Sequence, residues 1–267
     1  MEKYIFIIIF LFLFTSCEKE ANIDLKEMPP TPVVEGCIST DSKESYLKIS
    51  MTKGFYRDHL EYDFIDNAEV NLSNNNGHHI SFYFDTDKNQ YVSHENAQPN
   101  TEYHLDIKFD KYEIKGNESV LSIPIIKSVN VFSTVNEYGF TGSQYEIEIE
   151  DTSEAIDYYC IILGFSTNEG DYNSYANYFF NDYEKVNGKF VIQNYRSLEN
   201  FQDINMSVHH IPENYYNYIM TLYEIGAAEY GQSPFNTTVM GNPESNLNTG
   251  IGFFGSSAVS YFTIQEE

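Results

Sequence analysis

The sequence predicts a mainly β protein, with an N-terminal β-sandwich followed by a second β-rich domain that holds one helix. Three observations carry this. Short segments alternate apolar and polar residues in period two, as half-buried strands do. Turn dipeptides separate those segments. The chain has 23 Tyr and 20 Phe but no Trp, and Tyr suits a strand with one packed face and one wet face.

The first sixteen residues read as an export signal. Met1-Glu2-Lys3-Tyr4 precedes an uncharged apolar run from Ile5 to Phe14, and Thr15-Ser16-Cys17 follows. The run is shorter than the roughly 20 residues a membrane-spanning helix needs. Small residues before a cysteine make this a lipoprotein signal, although Phe14 stands where Leu is commonest and Leu13 is one place early. Cys17 is therefore the predicted lipidation site. Its thiol would carry a diacylglyceryl thioether, and cleavage would free its amine for a further chain such as palmitate. One chain binds a membrane marginally, at roughly 0.8 kcal/mol per buried methylene, and two or more anchor it stably. A plain secretory signal with an incidental cysteine is the alternative. Residues 17–32 read as an extended tether, charged and carrying Pro29, Pro30 and Pro32.

Residues 33–122 read as the sandwich. Tyr46 to Ser50 and Ala68 to Leu72 alternate in period two. Asn76-Gly77 is a hairpin turn, and Ile80 to Phe84 is its return strand. Asn89 to Val92, Thr101 to Ile107 and Lys111 to Val120 supply further strands. Ile123-Pro124-Ile125 marks the boundary with residues 123–267. There, strands are expected at Val129 to Phe132, Tyr145 to Glu150, Tyr158 to Phe165, Phe190 to Asn194, Ile204 to His210 and Ala258 to Ile264. Residues 166–185, rich in Asn, Asp and Tyr, read as loop with some order. From Pro212, apolar residues recur at three-to-four spacing through Gly226, which predicts the one helix.

Charge bounds the partners. A net charge of −25 repels nucleic-acid phosphates and anionic lipid alike, so no nucleic-acid partner is expected and membrane attachment must come from covalent lipid. Cys37 and Cys160 lie in separate apolar, strand-like runs and read as two buried thiols, with a disulfide in an oxidising compartment as the alternative.

Several stretches together resemble a known family. They are Cys17-Glu18-Lys19-Glu20, Ile23-Asp24-Leu25, Pro32 to Gly36, Asn67 to Val70, Gln90-Tyr91 and Pro99 to Leu105. Further along come Tyr215 to Tyr218, Pro234-Phe235, Ser245-Asn246 and the specific closing block Gly250 to Gly255. The chain resembles an uncharacterised lipoprotein family of the Bacteroidota, domain of unknown function 4249. Cys37 stands where an aromatic is expected and Asn100 where a turn glycine is usual. The resemblance implies an outer-membrane lipoprotein, on the periplasmic or cell-surface face, often encoded near TonB-dependent receptors. It implies no catalytic residues. The N-terminal half also looks like an Ig-like or carboxypeptidase-regulatory-like sandwich module.

Chemistry-bearing motifs are sparse. The histidines, among them His78-His79 and His209-His210, show no metal-ligand spacing and are expected at the surface. Asp85-Thr86-Asp87-Lys88-Asn89 begins like a calcium loop, but Gln90 stands at the required glycine, so it reads as a polar turn. No nucleophile elbow or phosphate loop occurs. No catalytic residue, metal or cofactor is predicted. Tyr172, Tyr175, Tyr178 and Phe179 form an aromatic cluster that either packs over the second core or meets a sugar or protein partner. The expectation is a non-enzymatic, lipid-anchored accessory or binding protein of the outer membrane, associated with a TonB-dependent receptor. The alternative is an envelope or polysaccharide hydrolase that uses a carboxylate pair.

Overall fold

The computed structural model describes residues 29–53, 63–150, 155–167, 173–194, 201–230 and 243–265. Cys17, the signal segment and Tyr172 lie outside the described residues. The chain divides into two compact units, Met1–Pro29 with Lys53–Asp58, and Pro30–Thr52 with His59–Glu267. All the described strands and the helix belong to the second unit.

The strands are β1 (Pro32–Ser39), β2 (Tyr46–Met51), β3 (Asp63–Phe64), β4 (Glu69–Asn74), β5 (His79–Ser81), β6 (Tyr83–Asp85), β7 (Gln90–Val92) and β8 (Thr101–Phe109). They continue as β9 (Tyr112–Val120), β10 (Ile126–Val135), β11 (Thr141–Ile149), β12 (Tyr158–Thr167), β13 (Asn173–Asn181), β14 (Phe190–Asn194) and β15 (Phe201–Ile211). Helix α1 (Glu213–Tyr230) and strand β16 (Ile251–Gln265) complete the fold. The protein is mainly β, as its sequence predicts. Among the described residues, no helix is long and apolar enough to cross a membrane.

A nine-stranded sheet runs β13-β12-β15-β16-β1-β2-β7-β6, with β3 beside β2. A four-stranded sheet (β5-β4-β8-β9) and a three-stranded sheet (β10-β11-β14) accompany it. Most of the pairing is antiparallel, but β1 and β16 are parallel, with Val33 opposite Ile251. Two segments pair differently from the sequence reading. The return strand expected over Ile80 to Phe84 is broken at Phe82: β5 pairs β4 in the four-stranded sheet, while β6 pairs β7 in the large one. The chain crosses between layers there, and Phe82 packs against the core in passing. The segment 166–185, expected as loop, contains β13 paired with β12 from Tyr158 opposite Asn181 to Ser166 opposite Asn173.

Two cores lie on one face of the large sheet. The first joins Val34, Ile38, Leu47 and Ile49 to Leu72, Tyr103, Leu105, Ile107 and Ile114 of the four-stranded sheet. The second joins Tyr159, Ile161, Leu163, Met206 and Val208 to Tyr145, Ile147, Phe190 and Ile192 of the three-stranded sheet. Strand β16 serves both. Phe254 and Ala258 belong to the first core and Phe262 packs against the second. These even-numbered side chains share a face because successive side chains of a strand alternate. Its odd-numbered side chains point to the opposite face, where α1 lies.

A candidate ligand pocket under the helix

Tyrosines hold α1 on the sheet. Tyr215 and Tyr218 stack on Phe253, at 5.7 and 4.8 Å between ring centroids. Tyr216 meets Tyr158 at 4.9 Å, and Tyr223 meets Phe179 at 5.7 Å. The Tyr158 hydroxyl donates to Glu213 Oε1 at the start of the helix (2.9 Å). Tyr215, Tyr216 and Tyr223 belong to the apolar pattern that the sequence shows after Pro212. The closest approach occurs at Gly255, where an added Cβ would stand 2.5 Å from the Tyr215 ring.

Small side chains on the sheet leave a space beneath the helix. Cys37 of β1, Cys160 of β12 and Ser257 of β16 floor a pocket of about 320 Å³. Tyr46, Ile162, Asn177, Phe179, His209, Ile211, Tyr215 and Ile219 wall it, with Glu44 also lining it. A pocket of this size, mostly apolar with a few convergent polar groups, is the usual form of a small-molecule site.

Burial shifts its titratable groups toward their neutral forms. Burial pushes both the Cys37 and the Cys160 thiols up to about 12. Little thiolate is then present at pH 7. Burial drives His209 down to about 4. Its Nε2 lies 2.9 Å from Ser207 Oγ and its Nδ1 lies 3.4 Å from Ser257 Oγ. Ser257 Oγ in turn donates to Ser39 Oγ (3.1 Å). Burial also raises Tyr46, Tyr215 and Glu44. Among the described residues, no lysine or arginine lines the pocket, so it offers an anion no counter-charge. Among the same residues, no group of three His, Cys, Asp or Glu is placed to hold a metal. Both cysteines are free and buried. Two strands, β15 and β16, separate β12 from β1. Three strand spacings put their Cα atoms roughly 14 Å apart or more, beyond the roughly 7 Å a disulfide tolerates.

The predicted aromatic cluster divides between faces. Phe179 lines the pocket, while Tyr178 points the other way and packs against the second core with Phe180. Tyr175 pairs Gly164 in the sheet, but its side chain, like all of Tyr172, lies outside the described residues. His209 and His210, expected at the surface, are both buried at 6 % exposure. The reason is that β15 is a central strand covered on both faces. Its apolar neighbours Met206, Val208 and Ile211 carry that signal in the sequence.

Two other depressions contain hydrogen bonds that brace the fold. His210 Nδ1 donates to the Ser122 carbonyl (3.0 Å), and its Nε2 faces Asp157 Oδ1 at 3.3 Å. The Ser122 hydroxyl is nearby at 3.5 Å from the same Nδ1. A ring nitrogen that donates to a carbonyl cannot take the serine's proton, so this trio ties down the segment between β9 and β10. On the other flank of α1, a cleft of about 510 Å³ includes Asn214, Asn217, Tyr218, Glu244 and Asn246. Asn246 clamps Phe254, accepting from its N–H (2.9 Å) and donating to its carbonyl (2.7 Å). Asn214 and Asn246 also donate to Glu118 (3.1 and 3.4 Å), whose carboxyl burial pushes up to about 7. The predicted calcium-like loop closes on itself, with Asp85 Oδ1 accepting from the N–H groups of Asp87 and Lys88.

Residues 18–263 match the family model described as a domain of unknown function, DUF4249, and the chain belongs to that family. No curated protein matches it.

Proposed function

We propose that this member of the family is a lipid-anchored binding protein of the outer membrane, without catalytic activity, that holds a small uncharged ligand beneath α1 and serves a TonB-dependent transport system. The pocket's chemistry carries this reading. It combines apolar walls with hydroxyl, thiol and imidazole groups that burial favours in their neutral forms, and among the described residues its lining holds one carboxyl, Glu44, and no lysine or arginine. The lipid-signal pattern ending at Cys17 supports anchoring.

The test begins with the protein purified from its native membrane. Mass spectrometry of the denatured sample is expected to reveal one uncharged small molecule, absent from a Cys160→Phe variant that fills the pocket. A Ser257→Val variant serves as a milder control, and thermal melting checks that both variants fold. Retention of the same molecule by both variants would place it elsewhere and defeat the reading. Anchoring is tested separately: Cys17→Ser is expected to leave the membrane fraction. Mild detergent extraction tests the receptor, which should co-purify with the wild-type protein.

A further inference from the structure

We infer that the free edge of β10, from Val129 to Val135, is a docking edge for an extended, basic polypeptide segment that adds to the three-stranded sheet as a further strand. The surface is separate from the pocket and does not depend on what the pocket holds.

Strand β10 is the outer strand of its sheet and, among the described residues, pairs only with β11. Exposed edges invite strand addition, and proteins blunt them with short strands, bulges, lysines or covering segments. Three of the other edges are protected in those ways. Strands β5 and β6 are three residues each. The long edge β9 is covered by residues 246–248: Gly116 bridges Leu247, Asn248 N–H donates to the Lys115 carbonyl (2.9 Å), and Asn248 Oδ1 accepts from Lys115 N–H (2.6 Å). On β10 the protection ends early. Lys127 and the register shift between Ile126 and Ser128 guard only its first residues. The next seven residues, Val-Asn-Val-Phe-Ser-Thr-Val, contain no charge, proline or bulge.

The exposed side chains are as apolar as the backbone is open. Val131, Phe132, Val135, Tyr138 and Phe140 are all exposed, Tyr138 to 77 %. The hairpin that carries them is braced. Asn136 Oδ1 accepts from the N–H groups of Tyr138 (3.0 Å) and Phe140 (2.9 Å), and Asn136 N–H donates to the Phe140 carbonyl (2.9 Å). An apolar patch of this kind on a built element marks an interaction site.

The occupant follows from charge and position. From Leu121 to Tyr145 the chain has one lysine and one glutamate, while the whole carries −25. Self-pairing would bring two strongly acidic molecules together, whereas a basic segment would be drawn in. A membrane surface fits poorly, because a net charge of −25 repels anionic lipid. Strand addition uses backbone hydrogen bonds for affinity and alternate side chains for specificity.

The probe is a synthetic nine-residue peptide that alternates valine or phenylalanine with threonine and lysine. A second version has N-methylated amides along one edge. Hydrogen exchange on the Cys17→Ser chain should show saturable binding, at least ten-fold slower exchange confined to the outward amides of residues 129–135, and loss of both with the N-methylated peptide. Phe132→Lys should weaken binding at least five-fold while leaving the melting temperature unchanged. Protection at β13 or β14 instead, equal binding of the methylated peptide, or no binding at millimolar peptide overturns the proposal. So does concentration-dependent dimerisation through β10 in sedimentation, or binding of vesicles of phosphatidylethanolamine and phosphatidylglycerol that slows exchange at residues 129–140.

Discussion

At the scale of the residue, His209 and Glu118 respond to pH in opposite directions. His209 titrates near 4 in the fold and near 6.5 in the unfolded chain. The unfolded state therefore binds more protons between those values, and the stability His209 contributes is present above pH 6.5 and lost as pH falls through 4. Glu118 is raised from 4.5 to about 7. Its contribution is present below pH 4.5 and lost as pH rises through 7. In denaturant titrations, His209→Gln should remove on the order of 2 kcal/mol of the loss between pH 7.5 and 4.5. Glu118→Gln should remove a loss of about 1–2 kcal/mol between pH 5 and 8, so that this variant gains relative stability at pH 8. A flat difference across pH in either variant would show that the group titrates normally. The cysteines give a second readout. In the Cys17→Ser chain, Cys37 and Cys160 should resist a thiol reagent at pH 8 and both react once the protein is unfolded. Diamide should not join them, because two strands lie between.

At the scale of the element, α1 and β16 fit through glycine. Gly252 sits at a φ of 105°, and an added Cβ there would collide with the Val34 carbonyl oxygen of the parallel partner strand. Gly252→Ala is expected to cost about 3 kcal/mol or more, from a left-handed backbone and a blocked strand pairing together. Gly255→Ala should cost about 1–3 kcal/mol by lifting Tyr215, with faster amide exchange in α1 and little change in β10 or β11. Uniform exchange changes would argue against so local a role. The sequence made these elements legible where alternation was clean. Tyr46 to Ser50 and Thr101 to Ile107 fold as strands β2 and β8, as their patterns imply. Strand β13 was hidden because Asn173-Ser174-Tyr175-Ala176-Asn177 has the composition of a loop, and only pairing with β12 makes it a strand. The pocket was largely illegible. Cys37, Tyr46, Cys160, Phe179, His209, Tyr215 and Ser257 come from distant segments, and no local spacing announces that a crossover sheet will bring them under one helix. Phe179 was visible as part of an aromatic cluster, but strand alternation turns its neighbour Tyr178 to the opposite face.

At the scale of the whole molecule, the two cores depend on one strand. Core one needs Phe254 and Ala258, core two is packed by Phe262, and the backbone of β16 pairs with both β1 and β15. At 15 residues it is roughly 50 Å long, enough to reach across both. Damage to either core should therefore be felt by the other. Leu105→Ala in the first core and Ile147→Ala in the second should each cost about 2–5 kcal/mol, the usual range for emptying a buried aliphatic site. Both should lower one shared unfolding transition rather than split it. Followed by amide exchange under mild denaturant, residues of β8 and β11 should open together in the wild type and in both variants. A chain ending at Gly250 should lose the pairing edge of β1 and β15 at once and populate neither core. Independent melting of the β8 and β11 regions, or a Gly250-terminated chain with either core intact, would mean that β16 merely lies across two self-sufficient sandwiches.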